Sequence, residues 1–287
     1  MALATEPQVQ EAYLTQEQLR QFEEQGFLIV PNALPPEMVQ RLSEAVDRLI
    51  AEEKLEAQPQ QHTLHLRNCI VEDDIFLELL DWPTTFPLVV DILGWNIKLI
   101  TSHLIVRNPV PPDFDRSRVV VGWHRDGGTS YREMSEPHPR LFVKVAYWLT
   151  DLSEPGRGGL RVLPGSNRLI GRPAHPPGSP DPYGALEIQA KPGDAVIFEQ
   201  RTWHGVGPNF SKTPRKSLFY GYAFRWIQPM DYLQMPQELL DRVSPIRWQL
   251  LSGVKTKLAM YLPTPEDVPL RAWAEERNAR LRAAGLR

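Results

Sequence analysis

A chain of 287 residues with 32 Lys+Arg against 35 Asp+Glu carries a net charge of −3, which gives no polyanion-binding signature and argues against nucleic acid as a partner. Its 42% hydrophobic content allows a substantial core, yet no stretch approaches the roughly 18 apolar residues of a membrane span. The one cysteine, Cys69, excludes an internal disulfide and a cysteine-based metal cage and fits a reducing cytoplasm, and Met1 to Leu14 shows no secretory signal pattern.

Thr15 to Gln25 reads as a helix opened by a capping box, Thr15 with Gln18, and closed by Gly26. Phe27-Leu28-Ile29-Val30 follows as a short buried strand. Pro35-Pro36 starts a second helix, in which Met38, Val39, Leu42, Val46, Leu49 and Ile50 recur at helical spacing opposite a charged, solvated face. Residues 54–66 read as a polar connection, and Thr84 to Leu93 as a helix ended by Gly94. From Ile97 the texture changes to strand-like runs at 97–107, 119–125, 141–149, 160–163, 186–190, 194–199 and 216–226. Pro/Gly-rich loops separate them, in keeping with 28 prolines, about twice average usage. Many short strands with turn signals predict a mainly β fold with flanking helices, a double-sheet jelly roll. After Gln228 the chain turns helical again, with Pro236–Val243 and an amphipathic tail from Pro269 to Ala284. The predicted organisation is one domain over 1–287, with a helical part to about 95, a jelly-roll core over about 96–228 and a helical part from about 229. The long loops at 109–118, 127–140 and 171–184 are the expected lid; they carry Asp113, Asp115, Arg116, Arg118, Tyr131, Arg132, Glu133, Glu136, Asp181 and Tyr183.

The chemistry concentrates in His124-Arg125-Asp126, with His204 and Arg215 far downstream. Alternate residues of a strand share a face, so His124 and Asp126 at a strand end project together while Arg125 points away. Two imidazoles and one carboxylate are the ligand set of a mononuclear non-haem iron(II) site with open positions for a co-substrate and O₂. His204 ends the run after the turn Lys191-Pro192-Gly193-Asp194 and the strand Ala195–Phe198. Arg215 follows eleven residues on, within reach of a hairpin loop, and its rigid fork of donors suits a co-substrate carboxylate. Ser217 shares the face of Arg215 and is expected to grip the same carboxylate from the other side.

With these pieces in place the chain resembles the phytanoyl-CoA dioxygenase family, iron(II)- and 2-oxoglutarate-dependent oxygenases on a double-stranded β-helix. The matching segments are Gly26-Phe27, Trp123-His124-Arg125-Asp126-Gly127, Gly158-Gly159-Leu160-Arg161-Val162-Leu163-Pro164-Gly165-Ser166, the His204-to-Arg215 spacing and Ser244-Pro245-Ile246-Arg247, across roughly residues 15–250. The resemblance implies that His124, Asp126 and His204 bind Fe(II) and that Arg215 binds the distal carboxylate of 2-oxoglutarate. It also implies that substrate oxidation consumes O₂ and releases succinate and CO₂. Relatives that halogenate lack the carboxylate that Asp126 supplies, so hydroxylation is the expected outcome. Val206 departs from the pattern, standing where a small polar residue is common, which leaves Ser217 to share the 2-oxoglutarate contact.

Lys144, alternating with Ala146 and Trp148, reads either as a further contact to 2-oxoglutarate or as a solvent-facing lysine. Arg107 reads as a structural ion pair or as a contact to substrate or co-substrate, and His103 as a core histidine. His62 and His65, near Arg67 and Asn68, read as parts of a polar loop ahead of contacts to substrate, and His138 and His175 as loop residues outside the ligand set. Trp123 and Trp203, each next to a ligand, are expected to pack around the site. The mixed charge of the loops points to a small polar substrate, such as a secondary metabolite or an amino-acid-like molecule, ahead of an acyl thioester. A cytoplasmic monomer or small homo-oligomer is expected. The rival readings are a zinc or nickel cupin-type binder, against which Arg215 argues, and a ligand-binding member without activity, against which the intact triad argues.

Overall fold

The structure, a computed structural model, describes residues 12–127 and 134–287. The expected lid residues Tyr131, Arg132 and Glu133 lie outside that range.

Helix α1 (Gln16–Gln25) begins as its capping box dictates: Thr15 accepts from the Gln18 backbone and the Gln18 side chain returns the bond. It ends at Gly26 with φ 81°, a left-handed conformation that suits glycine. Strand β1 (Phe27–Val30) leads to α2 (Pro36–Ala51), which buries Met38, Leu42, Val46 and Leu49, the stripe read from its periodicity. Strands β2 (Glu56–Gln58) and β3 (Thr63–Arg67) form a hairpin, followed by the short α3 (Asp74–Glu78) and by α4 (Phe86–Leu93). Then come β4 (Ile97–Arg107), β5 (Phe142–Trp148), β6 (Leu160–Val162), β7 (Leu186–Glu187), β8 (Ala195–Glu199), β9 (His204–Val206) and β10 (Arg215–Phe224). Helices α5 (Gln237–Arg242), α6 (Pro245–Leu250) and α7 (Pro269–Ala283) complete the chain.

Seven strands form one antiparallel sheet in the order β1-β8-β5-β10-β4-β3-β2, and β7-β6-β9 form a second, as the jelly-roll expectation requires. Alternation along the strands sorts their side chains. Leu104, Val106, Val143, Val145, Tyr147, Leu218, Tyr220 and Tyr222 face the helices and join the main core with α2 and α4. The tyrosine hydroxyls in that layer are all engaged: Tyr220 donates to the Phe76 carbonyl, Tyr222 to the Leu80 carbonyl, and Tyr147 bonds Thr85 Oγ1. The opposite face sets Ala146, Trp148, Val196, Phe198 and Phe219 against Leu160 and Val162 of the smaller sheet. Each fully buried large side chain in these layers is worth about 1.5–3 kcal/mol. At the far end, Arg277 of α7 is buried against Asp91 of α4 (2.7 Å), whose carboxylate also accepts from the Leu14 backbone.

Two expectations are corrected. Residues 54–66 are no mere connection: they hold β2 and most of β3, and β3 pairs with β4. Together with β1, which pairs with β8, the first 95 residues supply three strands of the major sheet as well as helices. Residues 119–125 form no strand; their one ladder contact is an isolated bridge between His124 and His204, because the turn at Gly122 (φ 67°) interrupts the segment.

Candidate active site

His124, Asp126 and His204 converge, each offering one ligand atom, with these atoms all within 4.8 Å of one another. They come from two neighbouring pieces of backbone. His124 and His204 exchange two main-chain hydrogen bonds of 2.9 Å each, and Asp126 N donates to the Gln200 carbonyl. Gly205 permits this approach, since a Cβ there would meet Val121 Cγ1 and its carbonyl oxygen at 2.7 Å. Asp126 and His204 are buried, while His124 is exposed.

Hydrogen bonding sets the imidazole tautomers. His124 Nδ1 lies 2.8 Å from the Gly122 carbonyl and His204 Nδ1 2.9 Å from the Thr202 carbonyl. A carbonyl only accepts, so each Nδ1 carries the proton and each Nε2 presents a lone pair to the centre. Burial pushes His204 down to about 4, against the pull of Asp126, so the ring is neutral near pH 7. Burial acts to raise the Asp126 carboxyl, but Lys144, with His204 and His124, more than offsets it and holds the group ionised well below the usual carboxylate range. Asp126 Oδ2 is buried with no hydrogen-bond partner and sits 3.7 Å from His204 Nε2. An orphaned anionic oxygen facing the bare His204 nitrogen, with the bare His124 nitrogen 3.9 Å from the other oxygen of the same carboxylate, suits a cation, and the donor set matches the facial triad of non-haem iron.

Lys144 makes a contact that was not read from the sequence. Its ammonium is 2.8 Å from Asp126 Oδ1, on the triad carboxylate itself. Arg125 does turn away from the centre, pairing with Glu136 (2.8 Å) and lying over the Trp203 ring, which braces the strand-like triplet from behind. Trp123 donates Nε1 to Asp181, so both tryptophans pack around the site.

Arg215, 1% exposed, is held by its bond to the Gly158 carbonyl and by the Trp148 ring 5.6 Å beneath it. Its Nε is left without a partner. Burial, then the neighbouring cation of Arg107, push Arg215 down to about 9, so it stays charged at neutral pH. Ser217 shares the face as read, but it donates its hydroxyl to the Ile105 carbonyl at 3.1 Å. Arg107 has no ion pair among the described residues; it donates to the Gly207 carbonyl.

A cavity of about 690 Å³ connects the triad's His124 with Arg215, and Arg107, Val206 and Phe219 are also in its wall. The β2–β3 hairpin supplies Gln58, His62, Thr63 and His65, which sequence reasoning had assigned to a polar loop. Val110 and Phe114 represent the 109–118 loop, whereas Asp181 of the 171–184 loop is bound to Arg161 away from the cavity. His103, as a packed histidine, stacks edge-on against His65 at 4.7 Å and lies 3.5 Å from Asp231. His138 is buried 3.5 Å from Glu136 and His175 is exposed, both outside the triad.

The profile of the phytanoyl-CoA dioxygenase (PhyH) family matches residues 22–217, which span the triad and Arg215. The chain belongs to the PhyH family. This PhyH enzyme is an oxidoreductase, a dioxygenase. It is 27% identical over 233 residues to the ectoine dioxygenase of Nocardia farcinica, covering 71% of this chain and 76% of that one. It is 24% identical over 244 residues to dioxygenase trt7 of Aspergillus terreus, covering 80% of each. Its fold is also that of HygX from Streptomyces hygroscopicus, solved with nickel, 2-oxoglutarate and hygromycin B, at a TM-score of 0.60 and 17% identity over 77% of this chain and 91% of that one. No helix among the described residues is long and apolar enough to cross a membrane.

Proposed function

We propose that His124, Asp126 and His204 hold iron(II), that Arg215 anchors the distal carboxylate of 2-oxoglutarate, and that the enzyme hydroxylates a small polar organic molecule with release of succinate and CO₂. The observation that carries this is the Asp126 carboxylate, with Oδ2 unpartnered and both bare imidazole nitrogens within 3.9 Å of one or other of its oxygens, beside the cavity that also receives Arg215. When bound, the metal supplies the centre at which 2-oxoglutarate is oxidatively decarboxylated and O₂ is activated. The protein's part is to position and shield. The Thr202 and Gly122 carbonyls fix the imidazoles. Lys144 occupies Asp126 Oδ1, and Arg215, buried and bonded to Gly158, is a pre-set anion site. Ser217, two residues beyond Arg215 on the same face of β10, has its proton on the Ile105 carbonyl.

The mixed wall, with His62, Gln58 and Thr63 beside Val206 and Phe219, favours a compact molecule of both polar and apolar character. The names of the similar proteins, with ectoine and hygromycin B among them, support a small metabolite over an acyl thioester. We further infer one oxygenase domain over 1–287, since the main core draws on side chains from Leu14 to Ala274. A cytoplasmic monomer or small homo-oligomer fits the buried free thiol of Cys69.

The test is anaerobic titration of metal-free protein with iron(II) and 2-oxoglutarate, read by the weak visible charge-transfer band of the chelate. The band should form in the wild type and weaken in Asp126→Ala and Arg215→Ala. Absence of the band together with tightly held zinc would replace the oxygenase reading with a cupin-type metal binder.

A further inference from the structure

The cavity divides by charge. Its two guanidiniums, those of Arg107 and Arg215, belong to Cα partners across β4 and β10, so they stand on one face at one end. That end is the one assigned above to the distal carboxylate of 2-oxoglutarate, and both cations are counted with the co-substrate. Among the described residues, the rest of the wall holds no aspartate, glutamate, lysine or arginine. The charges just beyond it, Asp126 and Lys144, are matched to each other at 2.8 Å. A charged group entering this space would lose its water and meet no counter-charge, whereas an uncharged one loses far less. The uncharged wall has two characters. The β2–β3 hairpin presents the amides of Gln58, Gln60 and Gln61 and the His65 ring. Val110, Phe114, Val120, Val121, Val206 and Pro208 supply hydrocarbon instead. Phe114 meets the His62 ring edge-on at 6.0 Å, so the tip of the hairpin touches the 109–118 loop.

His65 is the hairpin residue with a buried, unmet donor. Gln58 Nε2, an amide donor, lies 3.3 Å from His65 Nδ1, so Nδ1 accepts and the ring proton is on Nε2. The residue is 9% exposed, lines the cavity, and its Nε2 has no hydrogen-bond partner among the described residues. Burial, then the Arg67 cation, push the ring down to about 4, so it is neutral near pH 7. Lys144 adds to that depression, which sets the ring within electrostatic reach of the ammonium bound to Asp126 and so toward the triad. A buried N–H without an acceptor describes half of a hydrogen-bonded pair, and an oxygen on the substrate completes it.

We propose that the substrate is electrically neutral, a largely hydrocarbon molecule with a carbonyl or hydroxyl oxygen that accepts from His65 Nε2–H while its body packs against Val110, Phe114, Val121 and Val206. This names the substrate class for the site proposed above and rests on 2-oxoglutarate occupying the arginine end. His65 is a substrate-binding residue, and the β2–β3 hairpin is the specificity element: the oxygen it holds decides which carbon faces the triad.

The experiment uses full-length protein loaded with manganese(II) and saturating 2-oxoglutarate. The probes are matched sets on cyclic hydrocarbon skeletons of increasing size: the ketone, the alcohol, the carboxylate, the primary ammonium and the unsubstituted parent. Binding is read by calorimetry and thermal shift. The ketone and the alcohol should bind at least about tenfold more tightly than the carboxylate and the ammonium, as a water-excluding site without counter-charge requires. His65→Phe should weaken ketone binding by at least about tenfold and leave the parent hydrocarbon unchanged, because a hydrogen bond is what separates the two probes. His65→Gln, which keeps a donor, should recover part of the loss. The proposal is overturned if a carboxylate or ammonium binds as tightly as its ketone, or if no neutral oxygenated probe binds. It is equally overturned if His65→Phe leaves ketone binding unchanged or weakens the parent hydrocarbon as much. Failure of the wild type to bind 2-oxoglutarate at all would instead sink the co-substrate reading. Melting curves without ligand identify any variant that has failed to fold, and the charge comparison in the wild type then carries the test.

Discussion

The ammonium of Lys144 lies 2.8 Å from Oδ1 of Asp126, while Oδ2 of the same carboxylate has no partner. Oδ1, 3.9 Å from His124 Nε2, is thereby occupied by the ammonium, while Oδ2, 3.7 Å from His204 Nε2, keeps its lone pairs free for a metal. The two groups sit on different pieces of the fold, β5 and the loop after Gly122, so the contact also fixes where the loop lies against the major sheet.

Lys144→Met should therefore weaken iron(II) binding by roughly 10–100-fold, the usual effect of removing a hydrogen-bond partner from a metal ligand. Anaerobic iron titration checks this, and Lys144→Arg should recover most of the loss. Unchanged affinity in the methionine variant would show that Asp126 needs no such support.

The end of α1 is coupled to the triad. The Gly26 carbonyl accepts from Thr202 Oγ1 at 2.9 Å, and the Thr202 carbonyl holds His204 Nδ1. A Cβ at Gly26 would be driven into Thr202 Oγ1, at a φ of 81° that already disfavours side chains. Gly26→Ala should destabilise the fold by about 1–3 kcal/mol. It should also weaken metal binding in protein that remains folded, measured by denaturant titration and iron titration side by side. A stability loss without any metal effect would uncouple the helix end from His204.

Asp267 gives a pH signature unrelated to the metal. Its carboxylate accepts from the backbones of Lys255, Thr256 and Thr264 and from both threonine hydroxyls. Burial acts to raise the carboxyl, but these bonds, led by Thr256 Oγ1, prevail and hold it well below the ordinary range. A depressed carboxylate contributes stability that is fully present above the unfolded value, about 3.9, and is lost as pH falls through the folded value. Asp267→Asn should lower the melting temperature at pH 7 by several degrees, at roughly 2–4 °C per kcal/mol, and the gap to wild type should narrow below about pH 4. A gap constant from pH 7 to pH 3 would rule out this carboxylate as a source of acid sensitivity.

The helices were legible because capping and periodicity are local: Thr15-Gln18, the Met38–Leu49 stripe and Pro269 announce themselves in a few residues. The triad and Arg215 were legible from residue type and spacing. The hairpin at Glu56–Arg67 was not, because Gln and His dominate its turn and its strands are short. Yet Thr63-Leu64-His65-Leu66-Arg67 alternates with period two and, read alone, would have put His65 on one face of a strand. The partners of Lys144 and Ser217 depend on which neighbour lies across the sheet. No local pattern encodes that Lys144 meets Asp126, or that Ser217 spends its proton on Ile105.

The reciprocal main-chain bonds between His124 and His204 have a consequence for damaged sites. Because the spacing of the two imidazoles is dictated by peptide groups, deleting one ring leaves a mould of the missing ligand rather than a collapsed pocket. In His204→Ala, free imidazole at millimolar concentration should enter that mould and restore metal retention. The triad would then behave as a socket whose contacts are exchangeable parts.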